Sequence, residues 1–182
     1  TYLCGAVMTG GDVRLLHVPA AHLGNLPDIL AHLGAELEIR GDGEEIRIRM
    51  RRRPAAIPYL ATAPYPGFPT DLQSVLMAVL SVSSGLSLLE EKIFEARFQT
   101  VPELSRVGAS IQQGEAFALI EGKERLLGTD VKAEELRGGA ALIMAAVAAE
   151  GKSRISGMEY VHRGYEDIQG DLKKLGVVVN YS

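Results

Sequence analysis

A glycine spacing that recurs three times constrains the fold of this chain more than any other feature of its sequence. Three glycines each end an apolar helical segment and precede a short strand-like run, and they are Gly11, Gly85 and Gly151. A second glycine follows each of them after 23, 23 and 25 residues and closes an amphipathic segment, and this second set is Gly34, Gly108 and Gly176. Glycine is favoured just past a helix because it adopts the left-handed conformation that ends it. The spacing predicts three units of helix, strand, helix and strand pair, at about 1–57, 58–130 and 131–182.

The apolar patterns between the glycines predict the elements of these units. The first helices are expected at 1–9, 71–83 and 134–149, and the strands that follow them at 13–18, 86–89 and 153–158. Alternating residues after the second glycines predict further strands, at Leu37 and Ile39, at Ile111, and at Val177 and Val179. Residues 140–149 are apolar on every face, which indicates a helix surrounded by protein. We therefore predict one α/β domain over 1–182, with buried central helices inside outer helices and sheets, a first unit truncated at its start and a third unit without its final strand.

The composition suits a globular domain and argues against several classes of function. The chain has 182 residues, is 47% hydrophobic and carries a net charge of −4, which does not indicate a nucleic-acid-binding protein. A basic run at 47–53 ends before Pro54 and is interpreted as a solvated strand with its exit loop. The longest uncharged apolar run, 138–149, is shorter than the roughly 20 residues that span a bilayer, so no membrane segment is predicted.

Cys4 is the only cysteine, so the sequence has neither a disulfide nor a cysteine-based metal framework. It lies in an apolar segment, where a buried small residue is the better interpretation, and a single cysteine fits a cytoplasmic protein. The chain opens on Thr1 and runs directly into apolar residues. We expect it to be cut from a longer protein.

The stretch 63–71 fixes a carboxylate at the beginning of a helix. Three prolines and a glycine make its turn rigid, and Thr70 is a good N-cap for the apolar run that follows Asp71. An acid in a first turn is also favoured by the helix dipole alone, by about 0.3–1 kcal/mol, so Asp71 by itself does not establish a site.

The repeat places three arginines at positions comparable to that of Asp71. Asp71 and Arg137 each lie 14 residues before a first-set glycine, and Arg97 and Arg163 each lie 12 residues after one. Cations at a helix N-terminus oppose its dipole. Combined with free backbone amides, they make a site for phosphate or carboxylate. Taken singly, each arginine is also explained by an ion pair with a neighbouring acid, at Glu95, Glu134 or Glu166. Jointly the four residues are expected at one end of the fold, where they imply an anionic substrate and one base.

Several sequence motifs resemble those of one family. The motifs are Phe-Pro-Thr-Asp-Leu-Gln at 68–73, Ile-Phe-Glu-Ala-Arg-Phe at 93–98, Glu-Leu-Arg-Gly-Gly-Ala-Ala-Leu at 135–142 and His-Arg-Gly-Tyr-Glu at 162–166, with shorter motifs at 101–104 and 149–151. Together they resemble the bacterial UDP-N-acetylglucosamine 1-carboxyvinyltransferases. The resemblance runs from about 1 to 182 and concerns the domain that holds the C-terminal half. It implies an inside-out α/β barrel of three βαβαββ-type repeats in a two-domain enzyme. That enzyme transfers the enolpyruvyl group of phosphoenolpyruvate to the 3-hydroxyl of UDP-N-acetylglucosamine, in the first committed step of peptidoglycan synthesis.

The resemblance also implies roles for individual residues. Asp71 matches the carboxylate that binds the sugar 3-hydroxyl and acts as its general base, and Ile93 matches the position whose backbone touches the UDP-sugar. Arg97, Arg137 and Arg163 match arginines around phosphoenolpyruvate and its tetrahedral intermediate. His162 replaces the acidic residue that is common in the family before its Arg-Gly-Tyr motif. No cofactor and no metal are implied.

Other functional residues of the family, including its mobile-loop cysteine, lie outside this sequence, and Cys4 is not that cysteine. The second domain is therefore an expected partner, and the chain alone is expected to lack turnover. Two alternatives stay open. One is enolpyruvyl transfer to shikimate 3-phosphate by the sister family, and the other is a non-catalytic relative or an excised binding domain.

Overall fold

Helices and strands alternate along the chain. The computed structural model describes residues 1–180. The helices are α1 (Tyr2–Thr9), α2 (Leu26–His32), α3 (Gln73–Ser81), α4 (Val101–Arg106), α5 (Leu136–Ala148), α6 (Met158–Val161) and α7 (Ile168–Lys174). The strands are β1 (Asp12–Leu16), β2 (Glu36–Arg40), β3 (Glu45–Arg49), β4 (Tyr59–Ala61), β5 (Leu86–Glu90), β6 (Ser110–Gln113), β7 (Phe117–Glu121), β8 (Asp130–Lys132) and β9 (Arg154–Ser156). Short 3₁₀ turns span Ala20–Leu23, Gly41–Gly43 and Thr70–Leu72.

Three central helices form the core of the fold. Helices α1, α3 and α5 each contact the other two, and every residue of α3 is buried. Gly5 lets α1 approach α5 closely, because a Cβ at this position would lie only 2.7 Å from Met144 Sδ. Burial confirms the predicted enclosed helix for 140–145, whereas 146–149 are only half-buried.

The strands form three separate sheets around these helices. The first has the order β1-β3-β2 and is antiparallel throughout. The second has the order β4-β5-β7-β6, with β4 and β5 parallel and the other pairs antiparallel, and the third pairs β8 with β9 in parallel. Helix α1 contacts β1 and β3, and α3 contacts β7. The architecture is therefore of the α/β class.

Glycines end most of the predicted helical segments. Gly34, Gly108 and Gly176 follow α2, α4 and α7 with φ values of 101°, 95° and 90°, which confirms the left-handed ends predicted there. The prediction at Gly11 is wrong, because the left-handed residue after α1 is Gly10, with φ of 67°. The amide of Gly11 instead donates to the Ala6 carbonyl.

Several element boundaries differ from the predicted ones, and the three units are not identical. The helix predicted over 71–83 is a 3₁₀ turn followed by α3, and the strand predicted over 153–158 is limited to β9 by left-handed Gly157. Within residues 1–180, Val177 and Val179 lie in no strand. Strands β2 and β6 each pair with the strand that follows them in sequence, and the described residues after 176 provide no such partner.

Helix length and hydropathy bear on the membrane prediction. None of the helices found in residues 1–180 is both long enough and apolar enough to cross a bilayer.

Candidate functional site

Asp71 lies at the exposed start of the α3 segment. The Leu72 amide donates to the Pro69 carbonyl at 3.0 Å and closes the 3₁₀ turn that carries Asp71. The Asp71 side chain is 66% exposed. The predicted capping role of Thr70 is wrong, because its hydroxyl donates to Glu91 Oε2 at 2.8 Å instead of accepting from the helix. A bond to a residue that is distant in sequence therefore holds the turn in place.

Asp71 forms an ion pair with Arg137 at the first turn of α5. Arg137 Nε donates to Asp71 Oδ1 at 2.6 Å, and the Arg137 side chain is 36% exposed. The local alternative for this arginine, a pair with Glu134, is not what the structure shows, since Glu134 pairs with Lys132 at 3.3 Å. The repeat had predicted that Asp71 and Arg137 converge, and they are in direct contact.

The backbone amides at the start of α5 are already occupied. Glu135 is the N-cap, and its carboxylate accepts from the amides of Arg137, at 2.8 Å, and of Gly138. The prediction of free amides beside the arginine is therefore wrong for this helix. At this helix start the Arg137 and Gly138 amides are not available as donors to a ligand.

Arg97 lies in a loop that packs against the same turn of α5. Its guanidinium carbon lies 4.6 Å from the centre of the Phe94 ring, and this is its only recorded interaction within residues 1–180. Thr100, at the end of the loop, sits against Gly138 so closely that a Cβ on the glycine would collide with its hydroxyl. Arg97 is half-buried and does not touch Asp71.

Arg163 follows α6 and also lies near the start of α5. A Cβ on Gly164 would lie 2.8 Å from Leu136 Cδ2, which places this loop beside the residue preceding Arg137. Arg163 and His162 are exposed, and Arg163 has no ion pair, hydrogen bond or ring contact with any residue of the described part of the chain. We call Asp71, Arg97, Arg137 and Arg163 the entrance face. Asp71 and Arg137 are in direct contact, and the loops that carry Arg97 and Arg163 lie beside the first turn of α5.

Glu91 is a buried acid that the sequence analysis did not identify. Its exposure is 5%, and its carboxylate accepts from the hydroxyls of Thr62 and Thr70 and from the amides of Ile93 and Phe94. The sequence carried no clear signal for it. Ser87, Leu89 and Glu91 occur at every second position and are all buried, but two of the three are polar, so hydropathy did not mark this face as the inner one.

Ile93 lines an open concavity of about 750 Å³. The concavity is lined by 91–96, 98, 99 and 113–116, and Ile93 is 36% exposed. Asp71, Arg137 and Arg163 do not line it. The predicted sugar-contacting residue therefore faces a surface adjoining the Arg97 loop.

A second concavity, larger than the one beside Ile93, lies at the other end of the central helices. Its volume is about 960 Å³, and it touches the C-terminal ends of α1, α3 and α5 at Gly10, Val82 and Ala148. We call it the basic cavity, since its lining includes Arg47, Arg49, Arg51, Arg52, Arg53 and Arg125.

The arginines of the basic cavity are largely engaged. Arg47 and Arg49 pair with Asp12 at 2.8 and 3.0 Å. Arg53 donates to the Val82 and Ser83 carbonyls at 2.9 and 2.6 Å. The interpretation of this run as a solvated strand and loop is therefore incomplete, because Arg53 caps the end of α3.

Two further observations concern the burial of Cys4 and the clusters of side chains that could bind a metal ion. Cys4 is 1% exposed, which confirms its interpretation as a buried small residue, and burial raises the pKa of its thiol. In the part of the chain that the structure describes, no cluster of three or more His, Cys, Asp or Glu side chains could hold a metal ion.

Comparison with known proteins defines the class. The family model described as EPSP synthase (3-phosphoshikimate 1-carboxyvinyltransferase) matches residues 1–172. The chain therefore belongs to this family of carboxyvinyltransferases. Its fold is that of solved members, including the enolpyruvyl transferase NikO from Streptomyces tendae, at 25% identity and a TM-score of 0.85 over 98% of this chain and 42% of that one. EPSP synthase from Acinetobacter baumannii has a TM-score of 0.79 at 20% identity, over the whole of this chain and 45% of that one.

Several curated relatives within the family are named as UDP-N-acetylglucosamine 1-carboxyvinyltransferases. UDP-N-acetylglucosamine 1-carboxyvinyltransferase 2 of Caldanaerobacter subterraneus subsp. tengcongensis is 42% identical over 97% of this chain. UDP-N-acetylglucosamine 1-carboxyvinyltransferase of Desulfofundulus thermocisternus is 44% identical over 97% of this chain and 71% of its own length. The resemblance noted in the sequence is thereby confirmed. The chain spans 42% of the Caldanaerobacter relative.

Proposed function

We propose that this chain is one domain of an enzyme that transfers the enolpyruvyl group of phosphoenolpyruvate to the 3-hydroxyl of UDP-N-acetylglucosamine with release of phosphate. The observation that carries the proposal is the 2.6 Å pair between Asp71 and Arg137, with the loops of Arg97 and Arg163 beside it. A carboxylate among arginines suits a reaction that needs one base and binds an anion. The names and identity of the relatives favour the UDP-sugar as acceptor.

In this proposal Asp71 takes the proton of the 3-hydroxyl as its oxygen adds to C2 of phosphoenolpyruvate and the methylene carbon C3 gains a proton from an acid outside this chain. The tetrahedral intermediate then loses a C3 proton as the bond between C2 and the phosphate oxygen breaks, which restores the double bond and releases phosphate. Arg137 orients the Asp71 carboxylate through their ion pair, and it then meets the phosphoenolpyruvate anion together with Arg97 and Arg163. Arg163 has its five N–H donors unused by the described residues, which suits a bidentate contact with phosphate or carboxylate. The Ile93 backbone contacts the UDP-sugar. The reaction calls on no cofactor.

We further propose that residues 1–182 form one domain of three repeats, arranged as an inside-out α/β barrel. Two observations support this arrangement. The three central helices pack against one another, and the parallel pairs β4–β5 and β8–β9 each consist of the strands before and after a central helix, α3 and α5 respectively. The first unit differs in lacking such a parallel pair among its described strands. A second domain supplies the rest of the active site, and the enzyme acts in the cytoplasm.

The acceptor is tested in the intact protein that carries this chain. Phosphate release from phosphoenolpyruvate is measured with UDP-N-acetylglucosamine and, separately, with shikimate 3-phosphate. We expect turnover with the UDP-sugar alone. Turnover with shikimate 3-phosphate alone would assign the sister activity, and none with either acceptor would identify a non-catalytic relative.

The isolated chain provides a second test. Positioning of reactants supplies about 7–11 kcal/mol of barrier lowering, and most of this is lost when one wall of the site is missing. We expect no measurable phosphate release from the isolated chain under conditions in which the intact protein turns over. Comparable rates for the two would contradict the requirement for a second domain.

A further inference from the structure

Glu91 connects the two segments that carry the candidate substrate contacts. We propose that it is a positioning residue, which fixes the Asp71 turn and the Ile93–Arg97 loop relative to each other. The inference rests on the proposed function, because it assigns Glu91 a purpose in that reaction. Glu91 itself does not touch the reacting atoms.

The hydrogen bonds of Glu91 reach three segments. Oε2 accepts from the Thr70 hydroxyl at 2.8 Å, directly before Asp71. Oε1 accepts from the Thr62 hydroxyl at 2.8 Å and from the amides of Ile93 and Phe94 at 2.8 and 3.1 Å. The two oxygens of one side chain therefore hold the turn on one side and the loop on the other.

The backbone completes the connection through Thr62. Its amide donates to the Glu90 carbonyl at 2.9 Å, and its hydroxyl accepts from the Lys92 amide at 2.8 Å. The Ala63 amide donates to the Phe68 carbonyl at 2.9 Å, which holds the turn before Asp71 next to the end of β4. Thr62 is 1% exposed and Glu91 is 5% exposed, so the centre of this network is shielded from water.

The burial of Glu91 indicates that its bonds matter. A buried carboxylate is costly unless hydrogen bonds satisfy it, and Glu91 has four donors and, within residues 1–180, no cation paired with it. Removing the carboxylate leaves two amides and two hydroxyls without their acceptor. Such a fully connected network holds its members in a single arrangement.

The exposed residues at the edge of this network are the ones that meet substrate in the proposed function. The Asp71 side chain is 66% exposed and Ile93 is 36% exposed, so both lie at the surface beside a buried support. A misplacement of about 1 Å can cost roughly 100-fold in rate. The distance between base and UDP-sugar site is therefore set by Glu91.

Three substitutions in the intact protein separate positioning from charge and from general stability. Glu91→Ala removes all four bonds. Glu91→Gln keeps the Oε1 acceptor and offers an N–H₂ group to the Thr70 hydroxyl, which can accept as well as donate. Thr70→Val removes only the bond to the Asp71 turn while keeping the side-chain shape. Ser110→Ala is the matched control, because it removes a hydroxyl-to-carboxylate bond, 3.1 Å to Glu121, on an exposed strand.

We expect kcat to fall by about 100-fold in Glu91→Ala and by about 10-fold or more in Thr70→Val, with the KM for phosphoenolpyruvate changed less than threefold. Glu91→Gln should retain kcat within about tenfold, and Ser110→Ala should match the unaltered protein. If Thr70→Val keeps normal kcat, or if Glu91→Gln loses as much as Glu91→Ala, the positioning role is overturned. Thr70→Val decides the matter if Glu91→Ala does not fold.

Hydrogen exchange separates failure of this inference from failure of the proposed function. The Ile93 and Phe94 amides should exchange faster in Glu91→Ala than in the unaltered protein and at the unaltered rate in Ser110→Ala, whatever the activity. Unchanged exchange would refute the network. Absent turnover in the unaltered protein, with exchange altered as expected, would refute the enzymatic proposal alone.

Discussion

The entrance face and the basic cavity lie at opposite ends of the same helices, and both are rich in arginine. In the basic cavity, Asp12 and the α3 carbonyls engage Arg47, Arg49 and Arg53. At the entrance face, Arg163 has no partner among residues 1–180. Among the described arginines of the basic cavity only Arg52 likewise lacks a hydrogen bond or ion pair. In the proposed function, unused donor capacity beside Asp71, rather than the number of arginines, is what suits the entrance face to an anion. The substitutions below compare the entrance face with the basic cavity.

Asp71→Asn should have the largest effect of any substitution at either end. It keeps the side-chain shape and removes the proposed base, so kcat in the intact protein should fall by about 10²–10⁴-fold while the affinity for the UDP-sugar changes much less. Steady-state kinetics and calorimetry measure the two quantities. Near-normal turnover would leave Asp71 as an acid favoured by the helix dipole and would move the base to the other domain.

Arg163→Ala should weaken saturation by phosphoenolpyruvate. Loss of a charge-assisted contact should raise the KM for this substrate by about 10- to 100-fold, and Arg163→Lys should restore only part of it because lysine lacks the bidentate geometry. Arg51→Ala is the control from the basic cavity, where Arg51 is 69% exposed and pairs with Glu36 at 3.1 Å. Equal effects of the two alanine variants would remove the distinction between the two ends.

Arg53→Met should affect stability and leave catalysis unchanged. It removes the two bonds to the Val82 and Ser83 carbonyls, and hydrogen bonds to charged groups contribute about 1.5–3 kcal/mol to the free energy of unfolding. Arg51→Met, which loses only an exposed ion pair, should cost less than about 1 kcal/mol. Urea unfolding with parallel rate measurements tests both. A fall in kcat for Arg53→Met would link the cavity to the reaction.

Asp12→Asn should give the smallest effect on stability, and that effect should disappear at low pH. Its hydrogen bond from Arg47 lowers the pKa of the carboxyl below its ordinary 3.8. The carboxyl of the unfolded chain therefore binds protons first, so the stabilisation is complete above pH 3.8 and is lost as the pH falls through the lower folded value. The difference in Tm between the unaltered protein and Asp12→Asn should shrink as the pH falls below 3.8. A difference independent of pH would contradict this explanation.

The sequence predicted what depends on local pattern and missed what depends on distant partners. The apolar run at 140–145 and the glycines after α2, α4 and α7 were recognisable because burial and left-handed φ leave local signals. Comparing repeat positions predicted that Asp71 and Arg137 lie at the same end of the fold, and the structure shows them in contact. The Thr70 prediction failed because the partner of its hydroxyl lies 21 residues away. Local preference for capping could not reveal that competitor.

Glu135 bears on how specificity at the entrance face can change in the proposed function. Because its carboxylate accepts from the Arg137 and Gly138 amides, those backbone donors are not available to an anion. In the proposed function, selectivity among phosphate- and carboxylate-bearing compounds then depends mainly on exposed side chains. Substitution of these side chains can change specificity without altering the buried helices, so the fold stays constant.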